Sequence, residues 1–415
     1  MKRIVICMDG TWQNLAWQTI DRDKVTGWPL DRRTNVAKVA QQTANADDKG
    51  VQQLVYYSPG VGARTFASKD QKVANYEGAT GEGSEENIIA AYLFLSFNYE
   101  LGDEIYLFGF SRGAFGVRSL AGLVRRCGIL KRTETAQVRN ALGLYRERDQ
   151  DKYDLKASQF RKLNSVAPIA GQEDVGLDDP GAVRVTYIGV FDTVVMRKSI
   201  AEIAGLAQPD PEHKFHDLKL GNHVMSARQA IAIDERRNTL PLTPWSNIGD
   251  FCALKGCDPC SPDAPYQQKW FAGSHGDVGG GASRELSSVS RKWVLRGAAQ
   301  CGLKFNETLR TEGGPSSPAF LLGGIEKLDS LGILGYADRV VYPEAPDPTE
   351  RREKRPRIAP TLMHLDRHVH VSAVIRMLTE KKYRPSPLRA FKQLIDPQDK
   401  AFRDWLARRT HEMFA

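Results

Sequence analysis

The amino-acid sequence predicts an α/β fold: a mostly parallel sheet flanked by helices, with helical insertions and a C-terminal extension. Two observations carry it. Short β-branched or aromatic runs alternate with helix-periodic segments through the first 128 residues, the pattern of parallel strands joined by crossover helices. The runs also end at turn-forming residues before the next helical segment begins.

The elements follow in order. "RIVICMDGTW" at 3–12 is a strand running into an Asp-Gly loop. "TNVAKVAQQTA" at 34–44 has helical spacing after a Thr/Asn start. "QQLVYYSPGVG" at 52–62 is a second strand closed by Pro-Gly. Residues 76–101 give a Gly-rich loop and a long helix, with Ser84 as the expected N-cap and Glu85 and Glu86 at the positive end of its dipole. "DEIYLFGF" at 103–110 is a third strand, and 111–128 a helix ending at Gly128. Residues 131–182 are polar and helix-rich, with a loop at "GQEDVGLDDPGA". "VRVTYIGVFDTV" is a strong strand whose carboxyl end is Asp192. A less regular segment covers 196–222, and "HVMSARQAIAIDERR" at 223–237 reads as a helix with one apolar face. "YQQKWFAGSHGDVGGG" is a last core strand leading into a Gly-rich loop that carries His275, and "ELSSVSRKWVLRGAAQCGL" an amphipathic helix. The last hundred residues are rich in Pro and Arg, including "RREKRPR" at 351–357. Residues 1–345 are expected to form one domain with insertions near 131–182 and 196–265. Few strand signals follow a linker near 345–360, so 346–415 is expected as a basic extension packed on the core.

The 415 residues are 41% hydrophobic and 26% charged, with net charge +8. That is ordinary globular composition. The charges are spread along the chain, so a solvated basic surface is expected rather than a nucleic-acid partner. No apolar run is long enough to span a bilayer. The short run "IVIC" ends at Asp9 and reads as a strand, not a Sec signal. A cytoplasmic location is expected, with export open to a route that uses no such signal. Of six cysteines, Cys7, Cys127 and Cys301 sit in apolar settings and are expected to pack as small hydrophobes. Cys252, Cys257 and Cys260 are close together, but no fourth ligand stands at zinc spacing; a loop with free thiols is expected over a zinc site or a disulfide.

Chemistry enters at Gly109-Phe110-Ser111-Arg112-Gly113, a G-x-S-x-G between a good strand and a good helix. A serine hydroxyl attacks only when an imidazole takes its proton and a carboxylate fixes the imidazole tautomer. Small neighbours let the strained strand-to-helix turn pass close to adjacent elements. The acid is expected at the carboxyl end of a later strand, where Asp192 stands; the alternative is a turn that merely ends that strand. Asp234 is the rival acid, but Glu235-Arg236-Arg237 after it suggests a salt-bridged surface. Of eight histidines, His275 alone directly follows a strand and enters a Gly-rich loop. His213, His216 and His223 lie in irregular polar sequence, and His364, His368 and His370 suit structure or a metal. No metal or cofactor is expected. The order Ser111, Asp192, His275 is that of α/β-hydrolases. The oxyanion donors are expected to be the backbone amides of Arg112, after the nucleophile, and of Gly10 or Thr11 in "DGTW". "CMDGTW" also invites comparison with the aspartyl-phosphatase D-x-D-G-T, but Cys7 stands where the attacking carboxylate is needed.

"DGTWQN", "TNVAKV", "YSPGVG", "GDEIYLFGFSRGAFGVRSLAGL", "GVFDTV", "AIAIDERR", "WFAGSHGDVGGG" and "HVHVSAVIR" occur in this order. Together they resemble the α/β-hydrolase family that includes type VI secretion phospholipase effectors of the first lipase class. The resemblance runs from about residue 3 to 375. It implies an esterase or phospholipase A activity and maps onto Ser111 as nucleophile, His275 as base and Asp192 as acid. It gives Asp9 and Asp277 roles in shaping the pocket or orienting His275, which makes Asp277 a second candidate acid. The expected partners are a lipid or other ester substrate, a membrane surface, and an immunity or secretion protein, with no nucleic acid. A non-enzymatic binding protein on this scaffold and a serine peptidase or amidase are the alternative functions.

Overall fold

The computed structural model describes residues 1–11, 13, 33–63, 83–147, 150–171, 176, 179, 181–194, 219–237, 239–258, 261–306 and 361–414. The expected linker near 345–360, the run 351–357, His213, His216 and Cys260 lie outside them.

In chain order the elements are β1 (Arg3–Met8), α1 (Asn35–Gln42), β2 (Gln53–Ser58), α2 (Ser84–Asn98), β3 (Glu104–Phe110) and α3 (Arg112–Cys127). Helices α4 (Val138–Arg146) and α5 (Gln150–Asn164) follow, then β4 (Tyr187–Phe191), β5 (Ala227–Ala232), α6 (Ile248–Leu254) and β6 (Tyr266–Phe271). Then come α7 (His275–Gly279), α8 (Arg284–Gln300), α9 (Leu362–His368), α10 (Val371–Thr379) and α11 (Lys400–Phe414). Among the described residues the strands form one six-stranded sheet in the order β2-β1-β3-β4-β5-β6. All five neighbour pairs are parallel.

Alternation along the strands divides the core. Ile4, Ile6 and Met8 face α2 and α3, whereas Val5 and Cys7 face Val36 and Val39 of α1 and Val289 and Val294 of α8. A third cluster joins Ile231 and Trp270 of the sheet to Leu365, Val374, Phe402 and Trp405 of α9, α10 and α11. The described part of the C-terminal segment thus packs on the β6 side of the sheet. Helices α4 and α5 lie over α3, with Ala141 and Leu142 in the cluster that holds Val124 and Cys127.

The strand order places the site. The chain steps from β1 outward to β2, then returns across β1 to add β3 on its other side. The two halves therefore diverge at the carboxyl ends of β1 and β3, the crevice where open parallel sheets bind ligands. Asp9 follows β1 there, and Ser111 follows β3.

Three expectations are corrected. Residues 227–232 form β5, not a helix, and so a core strand lies inside the stretch expected as an insertion near 196–265. "ARQAIA" misled because alanine favours helices and because buried Arg228 and Gln229 interrupt the apolar run. Most of their polar groups find partners inside the protein: Arg228 donates from its terminal nitrogens to Trp293 O at 2.7 Å and Pro262 O at 2.9 Å, and Gln229 to Gln268 Oε1 at 2.9 Å, while Arg228 Nε is buried with no partner among the described residues. Asp234 and Glu235 are consequently not a solvated face; Glu235 is fully buried. At α2 the N-cap is Gly83, in the left-handed region at φ 91, and Ser84 is the first helical residue.

Candidate active site

Ser111 sits between β3 and α3 with φ 57 and ψ −125, a region that few non-glycine residues occupy. Close packing holds it there. A Cβ on Gly109 would lie 2.5 Å from Ala114 Cα, and one on Gly113 would lie 2.2 Å from Met8 O and 2.4 Å from Asp9 O. Helix α3 therefore rests directly on the backbone of β1 and β3. Ser111 N donates to Phe191 O at 3.0 Å, which ties the turn to the end of β4.

Asp192 follows β4, also with positive φ, at 39°. Its carboxylate is fully buried. Oδ1 accepts from Ala232 N at 2.9 Å, and Oδ2 lies 2.6 Å from His275 Nδ1. A carboxylate only accepts, so Nδ1 carries the hydrogen and Nε2 presents its lone pair. Nε2 lies 2.8 Å from Ser111 Oγ. The hydroxyl donates to it, and a row of three groups runs from the serine into the protein. Behind it, Thr193 Oγ1 donates to Gln229 Oε1 at 2.6 Å.

His275 opens the short helix α7 instead of lying in a loop. Its ring packs on Phe110, with centroids 4.6 Å apart. Asp277 has a different task from His275's partner. Its Oδ2 accepts from Ser274 N at 2.9 Å and its Oδ1 from Ser283 N at 3.1 Å, so it caps α7 and ties it to the start of α8. Asn35 of α1 clamps the same helix, donating to Val278 O at 2.9 Å and Ser287 O at 3.0 Å.

Sequence reasoning missed Glu235. His275 N donates to Glu235 Oε2 at 3.2 Å, and Arg237 grips the same carboxylate from Nε at 2.8 Å and Nη2 at 2.6 Å. Burial pushes this carboxyl up, but the Arg237 bonds and the nearby imidazole outweigh it and hold it below the usual range. The signal was in "AIDERR", hidden by the helical reading.

Asp9 organises the opposite wall. Thr34 Oγ1 donates to its Oδ2 at 2.9 Å and Tyr57 Oη at 2.6 Å, while Gly10 N donates to Oδ1 at 2.7 Å. Burial pushes the carboxyl up to about 6 against the pull of these three bonds. The Gly10 amide is thus engaged by Asp9. Thr11 follows it in the same loop. Arg112 is the first residue of α3, where helical amides have no carbonyl within the helix to reach. Burial pulls its guanidinium down to about 10.

Other candidates are placed elsewhere. His223 Nε2 lies 3.1 Å from Ala121 O, His364 Nδ1 accepts from Thr361 N at 3.1 Å, and the His370 ring stacks on Phe271 at 4.3 Å. Cys7, Cys127, Cys252, Cys257 and Cys301 are free thiols; burial pushes Cys127 up to about 12, which leaves it inert. Cys257 Sγ points at Cys252 O, 3.3 Å away. Among the described residues no group of His, Cys, Asp or Glu could hold a metal ion.

A family model described as the catalytic domain of Tle1-like phospholipase effectors of the type VI secretion system matches residues 2–297. The chain belongs to this family. An uncharacterized protein of Saccharomyces cerevisiae is 28% identical over 277 residues, which is 63% of this chain and 36% of the relative. An uncharacterized protein from Pseudomonas aeruginosa aligns with 75% of the chain and 47% of its own, at 16% identity and TM-score 0.37. A Tle1 effector solved bound to the VgrG spike of the type VI secretion system aligns with 68% of the chain and 52% of its own, at 18% identity and TM-score 0.31. The Tle1-like chain thus spans about a third of the curated relative and about half of each solved protein. Among the described residues, no helix is long and apolar enough to cross a membrane.

Proposed function

We propose that this protein is a serine ester hydrolase of phospholipase A type, with Ser111 as nucleophile, His275 as general base and acid, and Asp192 as the carboxylate that orients it. The observation that carries the reading is the row Ser111 Oγ, His275 Nε2 at 2.8 Å and His275 Nδ1 to Asp192 Oδ2 at 2.6 Å, mounted on a strained elbow. His275 takes the Ser111 proton as Oγ attacks the ester carbonyl carbon, and Asp192 stabilises the imidazolium that forms. The backbone amides of Arg112 and Thr11 are the donors for the oxyanion. Collapse of the tetrahedral intermediate breaks the acyl–oxygen bond, and His275 returns the proton to the leaving alcohol. Water then repeats the sequence on the acyl-enzyme and releases the carboxylic acid.

Glu235 and Asp277 act as positioning residues in this scheme. Both hold the start of α7, and Glu235 adds a second buried negative charge near the imidazolium. Family membership supports a phospholipid as the ester. A membrane surface supplies that substrate, and a secretion partner is in keeping with the spike-bound relative.

A fluorophosphonate probe tests the reading directly. Attack by an activated serine displaces fluoride and leaves a stable phosphonyl adduct. Peptide mass spectrometry should place that adduct on Ser111 in the wild type, and His275→Ala should slow labelling by several orders of magnitude. Labelling elsewhere at the wild-type rate in Ser111→Ala would overturn the assignment.

A further inference from the structure

On the flank of α3 away from Ser111 lies a partly open cavity of about 20 Å³. Arg118 and Arg125 of α3, Lys219, Gly221 and His223 of the segment leading to β5, and Trp245 line it. Three of these are cations, and among the described residues no carboxylate lines the cavity. Ile188 of β4 adds an apolar wall. Among the described residues, the groups that line the cavity with His223 are therefore cationic or uncharged: Arg118 and Arg125 from α3, Lys219 from its own segment, Ile188 from β4, and Trp245.

The polar atoms are arranged unusually. His223 is 1% exposed. Its Nε2 lies 3.1 Å from Ala121 O, so Nε2 carries the hydrogen and Nδ1 is left as an acceptor. Nδ1 is buried with no hydrogen-bond partner among the described residues, and the same holds for Arg125 Nε. A Cβ on Gly221 would lie 2.7 Å from His223 Nδ1 and 3.0 Å from Arg125 Cδ. Gly221 is not among the glycines of positive φ, so space, not backbone conformation, explains the residue. Arg118 is already committed, donating to Thr243 O at 2.5 Å and lying 4.8 Å over the Trp245 ring. Two residues that line the hollow thus each carry a buried polar atom without a partner among the described residues, and Gly221 leaves space beside both.

We propose that this cradle binds one small anion, taken up together with one proton on His223. The protonated ring donates from Nδ1 to the anion and from Nε2 to Ala121 O. Arg125 Nε donates to the same anion, and Lys219 offsets its charge at the mouth. The volume suits one atom the size of a water molecule, which means chloride or a single oxygen of phosphate reaching in from outside. Burial and the charge of Arg125 pull the empty-site imidazole down to about 3. An anion reverses that pull, so affinity rises as pH falls, by up to tenfold per pH unit while one proton is taken up per anion. The site is independent of the proposed catalytic row.

The test is thermal unfolding of the full chain, titrated with sodium chloride, sodium phosphate or sodium gluconate at fixed ionic strength, at pH 5 and pH 7. A saturable rise in Tm with chloride or phosphate, absent with gluconate and stronger at pH 5, is expected. A response to phosphate alone would identify an oxyanion, and one to chloride alone a halide. Arg125→Gln and Gly221→Ala should abolish the rise, and the control Lys49→Gln should keep it. Should either buried variant fail to fold, Lys219→Gln at the exposed mouth should weaken affinity several-fold. No saturable rise in the wild type at pH 5, or an undiminished rise in folded Gly221→Ala, would overturn the proposal and leave the cradle to water.

Discussion

The contact between α3 and the end of β1 makes Gly113→Ala the sharpest probe of how Ser111 is held. Gly113 has helical backbone, so alanine gains roughly 0.8–1 kcal/mol of intrinsic helix propensity. The added methyl, however, would stand 2.2 Å from Met8 O and 2.4 Å from Asp9 O. A carbon meets a carbonyl oxygen comfortably at about 3.3–3.6 Å, so helix and strand must part by about 1 Å. Both atoms it meets are backbone, so no side chain can swing aside. Overpacking of this kind costs roughly 1–3 kcal/mol, and the net change is a loss of about 0–2 kcal/mol. The effect on activity is larger. Ser111 lies two residues away on the same turn, and a 1 Å misplacement of a reacting group costs on the order of 100-fold in rate. Gly143→Ala in α4 is the control, because nothing lies within 4 Å of its added Cβ; it should stabilise by about 0.8–1 kcal/mol and leave activity alone. Urea unfolding gives the stability, and kcat/KM on a short-chain aryl ester gives the activity. If Gly113→Ala matched Gly143→Ala in both measurements, the idea that direct backbone packing positions the nucleophile would be wrong.

Other variants separate the remaining roles. Asp192→Asn should lower kcat on the order of 10⁴-fold with little loss of stability, whereas Asp277→Asn should cost roughly 0.5–2 kcal/mol through the α7 cap and keep most of kcat; the reverse pattern would exchange their assignments. The folded pKa of His223 is depressed to about 3, so its contribution is intact above pH 6.5 and is lost as pH falls toward 3, by on the order of 4 kcal/mol; His223→Gln should flatten that limb of a stability–pH curve. Asp9 has the opposite sign. Its pKa is raised to about 6, so its favourable contribution is full below about pH 4 and is lost as pH rises through 6, by on the order of 3 kcal/mol. Asp9→Asn should remove this decline, and an unchanged decline would show that Asp9 is more solvated than its burial implies.

Much of this architecture was legible because strands β1, β2, β3, β4 and β6 announce themselves by apolar runs ending in turn residues. Ser111, Asp192 and His275 could be named because each stands at or just beyond such an end, and the fold brings them within hydrogen-bond reach. Strand β5 was not legible. Its alanines favour a helix, and Arg228 and Gln229 look like a solvated face until Trp293, Pro262 and Gln268 supply buried partners. Losing β5 also concealed Glu235, whose role depends on lying at the end of a strand beside β6. The Gly10 amide looked available for an oxyanion because sequence does not reveal that Asp9 folds its carboxylate back onto it. The cradle at His223 is a tertiary product of four separated segments, and no local pattern foretells it.

The central claim is that Ser111 performs covalent ester hydrolysis on phospholipid. Its most direct measurement is release of fatty acid and lysolipid from phospholipid vesicles, followed by mass spectrometry, with wild type and Ser111→Ala compared at equal folded concentration. The account predicts that the wild type yields both products and that Ser111→Ala loses on the order of 10⁴-fold or more in rate with unchanged unfolding. Release by Ser111→Ala within tenfold of the wild-type rate would contradict it.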